Sequence, residues 1–391
     1  MARSNRENFI RVFQGETTDK ILWVPDLTWW RDSQLKKGTL PPEYRGGYGF
    51  LKLHTDLGVM PYYIYSLEEK KHDAKSVSVH QIGGEGRPYN GVWGLEFENL
   101  AVEESRKGNI LKTVFKINGK KLVQRKQYLP ESYCYAFLEY PVKTIDDIDV
   151  LSEIIQGYRY YSTEEDYICL EDQWGDFGLP ISTLPRSPLS ALIVDWIGLE
   201  NFIFMYADYP DKIRTILHEI DDANSAAFKL ITQSKSTIFH FCDNLSASNY
   251  TPYFDELASE YYTRRVDELH RSGKKCIVHL DGYISGLIDK LAATGLDAIE
   301  ALTTKPAGDV DIRELRGKAG NENVILWGCL PSVIFTPKYA AEDFERIVAD
   351  FIQIHKTDPR MIAGSADQIS PDAELERIAR VSELFYEQNT V

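Results

Sequence analysis

From about residue 165 onward the chain alternates short β-rich runs with longer amphipathic stretches, and this alternation restricts its fold more than any other feature. Residues 236–241 form a β-rich run ending in Cys242-Asp243-Asn244, and a helical pattern over 252–272 stops at Gly273. A strand pattern over 275–280 ends at Asp281-Gly282, and a helix over 284–294 stops at Gly295. The order repeats with a strand over 298–302, a helix over 311–319 closed by Gly320, a strand over 324–327 and a helix over 340–355. A strand over 361–364 and a last helix from Asp372 complete it. Such repeats call for parallel strands with helices packed outside them. Five units in the second half, with room for more upstream, favour a closed (β/α)8 TIM barrel over an open doubly wound sheet. No GxGxxG follows an early strand, so a dinucleotide-binding fold has no support.

The stretch 75–140 follows a different rule. Residues 76–81 and 111–116 alternate apolar and polar, and Asn118-Gly119 supplies the positive-φ dipeptide of a tight hairpin before 121–128. The expectation is one elaborated TIM-barrel domain over 1–391, carrying an inserted antiparallel β-subdomain at 75–140.

Charge narrows the partners. A formal net charge of −15 disfavours nucleic acid and anionic membrane surfaces, both of which reward clustered Lys and Arg. Cys134, Cys169, Cys242, Cys276 and Cys329 are scattered, odd in number and without a CxxC pair, so they read as reduced thiols rather than a disulfide framework. The N-terminus has positive charge without a following apolar segment, and no apolar run has the length of a membrane span; the expected location is the cytoplasm.

Barrel chemistry sits at the C-terminal ends of the strands. Those ends offer His240, Cys242 and Asp243, then His279 and Asp281, then Glu300, then Cys329, then Ser365 and Asp367. His279, Glu300 and Cys329 follow one another at about one strand–helix repeat, so neighbouring staves can bring them to one height. An imidazole, a carboxylate and a thiolate make a tetrahedral zinc site with one open position. His240, Asp243 and Asp281 are the expected catalytic residues around it. His240, Cys242 and Asp243 could orient the ligands or form a competing ligand set, and Asp281 is a candidate fourth or alternative ligand. The bland alternative is that a lone histidine or cysteine on a strand simply packs; Glu300 resists it, because a carboxylate buried without partners is costly.

A resemblance extends these readings. The opening Arg6-Glu-Asn-Phe-Ile-Arg-Val-Phe-Gln-Gly-Glu-Thr-Thr-Asp-Lys-Ile-Leu-Trp-Val-Pro, the strand Ile277-Val-His-Leu-Asp-Gly, and the later Leu326-Trp-Gly-Cys-Leu-Pro-Ser and Gly364-Ser-Ala-Asp-Gln-Ile-Ser-Pro resemble the uroporphyrinogen decarboxylase superfamily. The decarboxylases carry an arginine-rich segment after the first strand, whereas here Arg31 stands beside Trp29 and Trp30, and aromatics occupy the second-strand region. The Trp-rich segment with Lys37-Gly-Thr-Leu-Pro and a following Tyr44-Arg is similar to the methyltransferase component of bacterial aromatic O-demethylases, on the corrinoid-dependent branch.

That resemblance implies an anaerobic enzyme moving a methyl group from a small donor, a methoxylated aromatic, to cobalamin on a corrinoid partner protein. Zinc would serve as Lewis acid on the donor oxygen. Trp29, Trp30, Arg31, Tyr62 and Tyr63 are the expected donor-binding residues, and a homodimer is a possible assembly. Thiol-methylating members of the branch bind zinc through His-x-Cys and a later Cys. His279 matches that histidine, but Asp281 stands where the first cysteine would be and Ser365 lies near the second, so either the ligand set differs or zinc is absent. A decarboxylase-like lyase, a methyl-corrinoid to thiol methyltransferase and a non-catalytic binding barrel are the rival readings.

Overall fold

The structure is a computed structural model, and it describes residues 3–62 and 91–388. The alternation read at 76–81 and Tyr63 lie outside the described residues. The chain divides into two units, one of Met1–Glu69, Tyr167–Ser182 and Ser236–Val391, the other of Lys70–Asp166 and Thr183–Lys235.

The second unit holds the antiparallel strands. β1 (Trp93–Phe97) pairs with β6 (Tyr158–Ser162). β2 (Ala101–Lys107), β3 (Ile110–Ile117), β4 (Lys120–Leu129) and β5 (Cys134–Glu139) form a four-stranded meander. Its β3–β4 hairpin turns at Asn118 and Gly119, with φ of 49° and 78°, the left-handed pair that matches strand twist. This unit is larger than a β-insert at 75–140, because helices Asp147–Gln156 and Pro210–Gln233 belong to it.

The first unit is the barrel. Its sheet runs in the order β12 (Met361–Ala366), β11 (Ile325–Pro331), β10 (Ala298–Leu302), β9 (Lys275–Leu280), β8 (Ile238–Leu245), β7 (Ser182–Thr183). Two irregular staves close the ring. Residues 22–26 join β12 through Val24 N–H to Ala363 O (2.8 Å) and Ala363 N–H to Leu22 O (3.0 Å). Residues 59–62 then join 22–26 through Met60 N–H to Trp23 O, and Ile181 N–H donates to Tyr62 O just before β7. Eight staves thus enclose one lumen, as the repeats predict.

The lumen is packed with alternate residues of the staves: Val24, Met60, Ile181, Ile238, Ile277, Ala298, Trp327 and Ile362, floored by Phe9 and Phe13 of helix Asn5–Phe13. Trp327 fits because Gly364 faces it; a Cβ there would lie 2.7 Å from the indole Nε1. Helices on the outside depart from their sequence patterns in three places, the expected 311–319 helix being a 3-10 turn at Ile312–Glu314 followed by an α-helix over Leu315–Ala319. The expected 252–272 helix is two, Ala247–Leu257 and Ser259–Arg271, broken at Ala258, and the expected 284–294 helix is reduced to Ile288–Ala292.

Candidate active site

Side chains two residues apart on a strand share a face. Ile238, Ile277 and Ala298 fill the lumen, so His240, His279 and Glu300 lie one step nearer the mouth on the same inward face. Glu300 and His279 are register partners on β10 and β9, and the His240 and His279 ring centroids lie 6.1 Å apart.

Glu300 is the hub. Its side chain is 2% exposed, and each carboxylate oxygen has a partner. Tyr62 donates its hydroxyl to Oε1 at 2.7 Å, while Oε2 lies 2.8 Å from His279 Nδ1 and 3.4 Å from His240 Nε2. His240 Nδ1 is 3.4 Å from Cys242 Sγ, and His279 Nε2 faces the half-exposed Asp367 carboxylate at 3.7 Å.

The electrostatics follow from this packing. Burial alone would lower both imidazoles. Glu300, with Asp367 and Asp281, outweighs it at His279 and raises that pKa to about 10. Cys242 and Glu300 raise His240 to about 9. Burial would raise Glu300, yet the two histidines hold it far below the usual carboxylate range. At the rim, burial lifts Asp281, and partial burial together with Asp281, Asp26 and Glu300 lifts Asp367 to about 6 against the pull of His279.

One ligand atom from each of His240, His279 and Glu300 lies within 4.8 Å of the others. Two imidazoles and a carboxylate are a zinc-type donor set with room for a further ligand, so the residues present fit such an ion. The shared protons between the imidazoles and Glu300 are what a metal would displace on entering.

Cys329 departs from its expected place. It is fully buried, and it is His240 whose ligand atom joins those of His279 and Glu300 among the described residues. The reason lies in the backbone. Gly328 and Cys329 have φ of 120° and 71°, and the β10–β11 register slips between Ile299 and Leu302, so strict alternation is lost before Cys329. The charges that act on its thiol are Arg316 and Asp358, and burial pushes it up.

Other expected residues divide in the same way. Asp243 is buried on the opposite face of β8 and accepts from the Tyr262 hydroxyl of the outer helix at 2.5 Å. Asp281 stands at the end of β9, within the electrostatic reach of His279. Trp30 is buried and donates its indole N–H to Ala373 O. Arg31 is buried over the Phe50 ring, donating to the carbonyls of Tyr44 and Gly46, which anchors the start of helix Gly46–Leu57. Trp29 is partly exposed. Tyr62, expected to meet a donor, donates its hydroxyl to Glu300. Asp367, which the sequence places at a strand end without a role, faces His279 here.

A family profile described as Uroporphyrinogen decarboxylase (URO-D) matches residues 186–388, just over half of the 391-residue chain. The chain belongs to the uroporphyrinogen decarboxylase family. No curated protein matches it. Among solved structures it is similar to a methyltransferase from Methanosarcina mazei, with a TM-score of 0.59 at 12% identity over 98% of this chain and 99% of that one. At that identity the likeness concerns the fold. Within the family fold, the lumen-facing His240, His279 and Glu300 of this member occupy the mouth where barrel chemistry is done.

Proposed function

We propose that this uroporphyrinogen decarboxylase family member is a zinc-dependent methyltransferase that moves a methyl group from a small donor, a methoxylated aromatic, to cobalamin on a corrinoid partner protein. The observation that carries the reading is the convergence of His240, His279 and Glu300 at the barrel mouth. The methyltransferase fold neighbour supports it.

His240, His279 and Glu300 would hold a zinc ion, which would supply Lewis acidity at the oxygen that the methyl leaves. The chain's own groups prepare that ligand set. Tyr62 fixes one oxygen of Glu300, which aims the other at the histidines. Cys242 sits against His240 Nδ1 and fixes the ring so that Nε2 points toward Glu300. Trp29, partly exposed, remains a candidate surface for a flat donor.

A decarboxylase acting on a polycarboxylate fits less well. The charges around His279 are the carboxylates of Glu300, Asp367 and Asp281, and Arg31 is engaged with backbone carbonyls. Arg31 is thereby withdrawn from pairing with a substrate carboxylate.

The test is an anaerobic assay of methoxyarenes, methanol and methylamines with a reduced corrinoid protein, alongside metal analysis. Methyl transfer in wild type, with transfer and one equivalent of zinc both lost in His279→Ala, is the expected result. Full activity in chelator-stripped protein, or in folded His279→Ala, would overturn the reading.

A further inference from the structure

A second group of mixed donors lies at the other end of the staves. His270 is in the last turn of helix Ser259–Arg271, Cys276 is the second residue of β9, and Asp297 immediately precedes β10. All three therefore stand where strands begin. One ligand atom from each lies within 4.8 Å of the others.

The carboxylate of Asp297 is the shared element. His270 Nε2 is 2.8 Å from Oδ2, and Cys276 Sγ is 3.7 Å from the same oxygen. The Cys276 backbone N–H also donates to Oδ2 at 2.9 Å, while the Lys275 ammonium holds Oδ1 at 2.8 Å. The carboxylate is thus fixed at both oxygens. Cys276 is fully buried, whereas the His270 side chain is 37% exposed, which gives an ion a path from solvent.

We propose that His270, Cys276 and Asp297 form a second divalent-metal site, of the zinc or cobalt class, that clamps helix Ser259–Arg271 to the starts of β9 and β10. An imidazole nitrogen, a thiolate and a carboxylate suit these ions. Binding releases the Cys276 thiol proton to solvent, while the His270 imidazole offers Nε2 to the ion and carries its ring proton on Nδ1. The location suits a structural role, because the face where barrel strands begin serves stability rather than chemistry. The site does not depend on the proposed methyl transfer.

Cobalt(II) distinguishes this site from the mouth, since a thiolate ligand gives a sulfur-to-cobalt charge-transfer absorption and His240, His279 and Glu300 contain no sulfur. Metal-stripped full-length protein is titrated with Co(II) and followed by absorption and by thermal unfolding. The band is expected in wild type and in His279→Ala, and Co(II) should raise the Tm of both. It should vanish in Cys276→Ser, and Co(II) affinity at this site should fall at least tenfold in His270→Ala. No band in wild type, or a band that survives Cys276→Ser, overturns the proposal. If Cys276→Ser does not fold, the partly exposed His270→Ala decides, and unchanged cobalt affinity there overturns it. Loss of methyl transfer in His279→Ala with this band intact shows that the two sites stand or fall separately.

Discussion

The mouth and the base of the barrel each gather histidine around a carboxylate, but under different constraints. Glu300 at the mouth is 2% exposed and shared by two buried imidazoles and a tyrosine. Asp297 at the base is shared by a solvent-reaching histidine, a lysine and a backbone N–H. The backbones differ as well. Among the described residues of the barrel unit, the non-glycine residues with positive φ are Asn244, Ala301, Cys329 and Asp367, each in the second half of a strand or just past it, on the mouth side. At the base, the turns leading into β9, β10 and β11 place glycine at positive φ: Gly273, Gly295 and Gly320. Backbone strain is held where packing over-determines it and a side chain must be aimed; elsewhere glycine takes the same geometry at little cost.

The largest expected effect breaks the mouth. Glu300→Ala removes the counter-charge of two buried imidazoles, and breaking a buried ion pair costs about 3–5 kcal/mol. Urea unfolding of the metal-free protein should show it. A loss under about 1 kcal/mol would mean that the two histidines do not depend on Glu300 for their charge.

Next comes a buried histidine that lacks such a partner. Burial lowers the His54 imidazole to about 4 from 6.5; its Nδ1 meets the Phe50 carbonyl and Arg31 adds a further lowering. The unfolded chain binds this proton from about pH 6.5 downward, whereas the folded chain resists it until about pH 4. The stabilising contribution is therefore complete above pH 6.5 and lost as pH falls toward 4, by roughly 3 kcal/mol in all. His54→Gln should flatten that part of the stability–pH curve. An unchanged acid limb would show that other groups produce it. His279 and His240, equally buried but facing Glu300, shift in the opposite direction.

Tyr62→Phe probes the mouth more gently. It keeps the ring against Trp327 but removes the 2.7 Å hydrogen bond to Glu300. Partners of this kind typically contribute 10–100-fold to metal affinity. Competitive chelator titration should show a loss in that range, and equal affinity would leave Tyr62 with a packing role only.

How much of this is legible in the sequence depends on how regular the local backbone is. The patterns at 275–280 and 298–302 are the observed β9 and β10, and because these strands are regular up to Glu300, its pairing with His279 follows from spacing. Spacing fails at Cys329, since two successive positive-φ residues reset which way side chains point. Gly328 was the visible sign, but nothing local says that the following cysteine shares its conformation. The partners of Trp30 and Arg31 are hidden for another reason. They are the carbonyls of Ala373, Tyr44 and Gly46, and backbone acceptors leave no trace in a sequence.

The smallest effects test the backbone contrast itself. Gly320 has φ of 61° and open space where a Cβ would go, so Gly320→Ala meets no clash and reports the left-handed conformation alone, about 1 kcal/mol of destabilisation. Asn244 has φ of 51°, is exposed and sits beside Asp243 at the mouth. Asparagine tolerates this region better than most residues, so Asn244→Gly should change stability by only a few tenths of a kcal/mol. What it should change is order, because glycine frees the end of β8 just past His240, Cys242 and Asp243. If the strain at the mouth positions ligands, Asn244→Gly weakens zinc binding with stability unchanged, whereas Gly320→Ala lowers stability with zinc affinity at the mouth unchanged. Should the two substitutions move both quantities together, the division of labour between the two ends of the barrel does not hold.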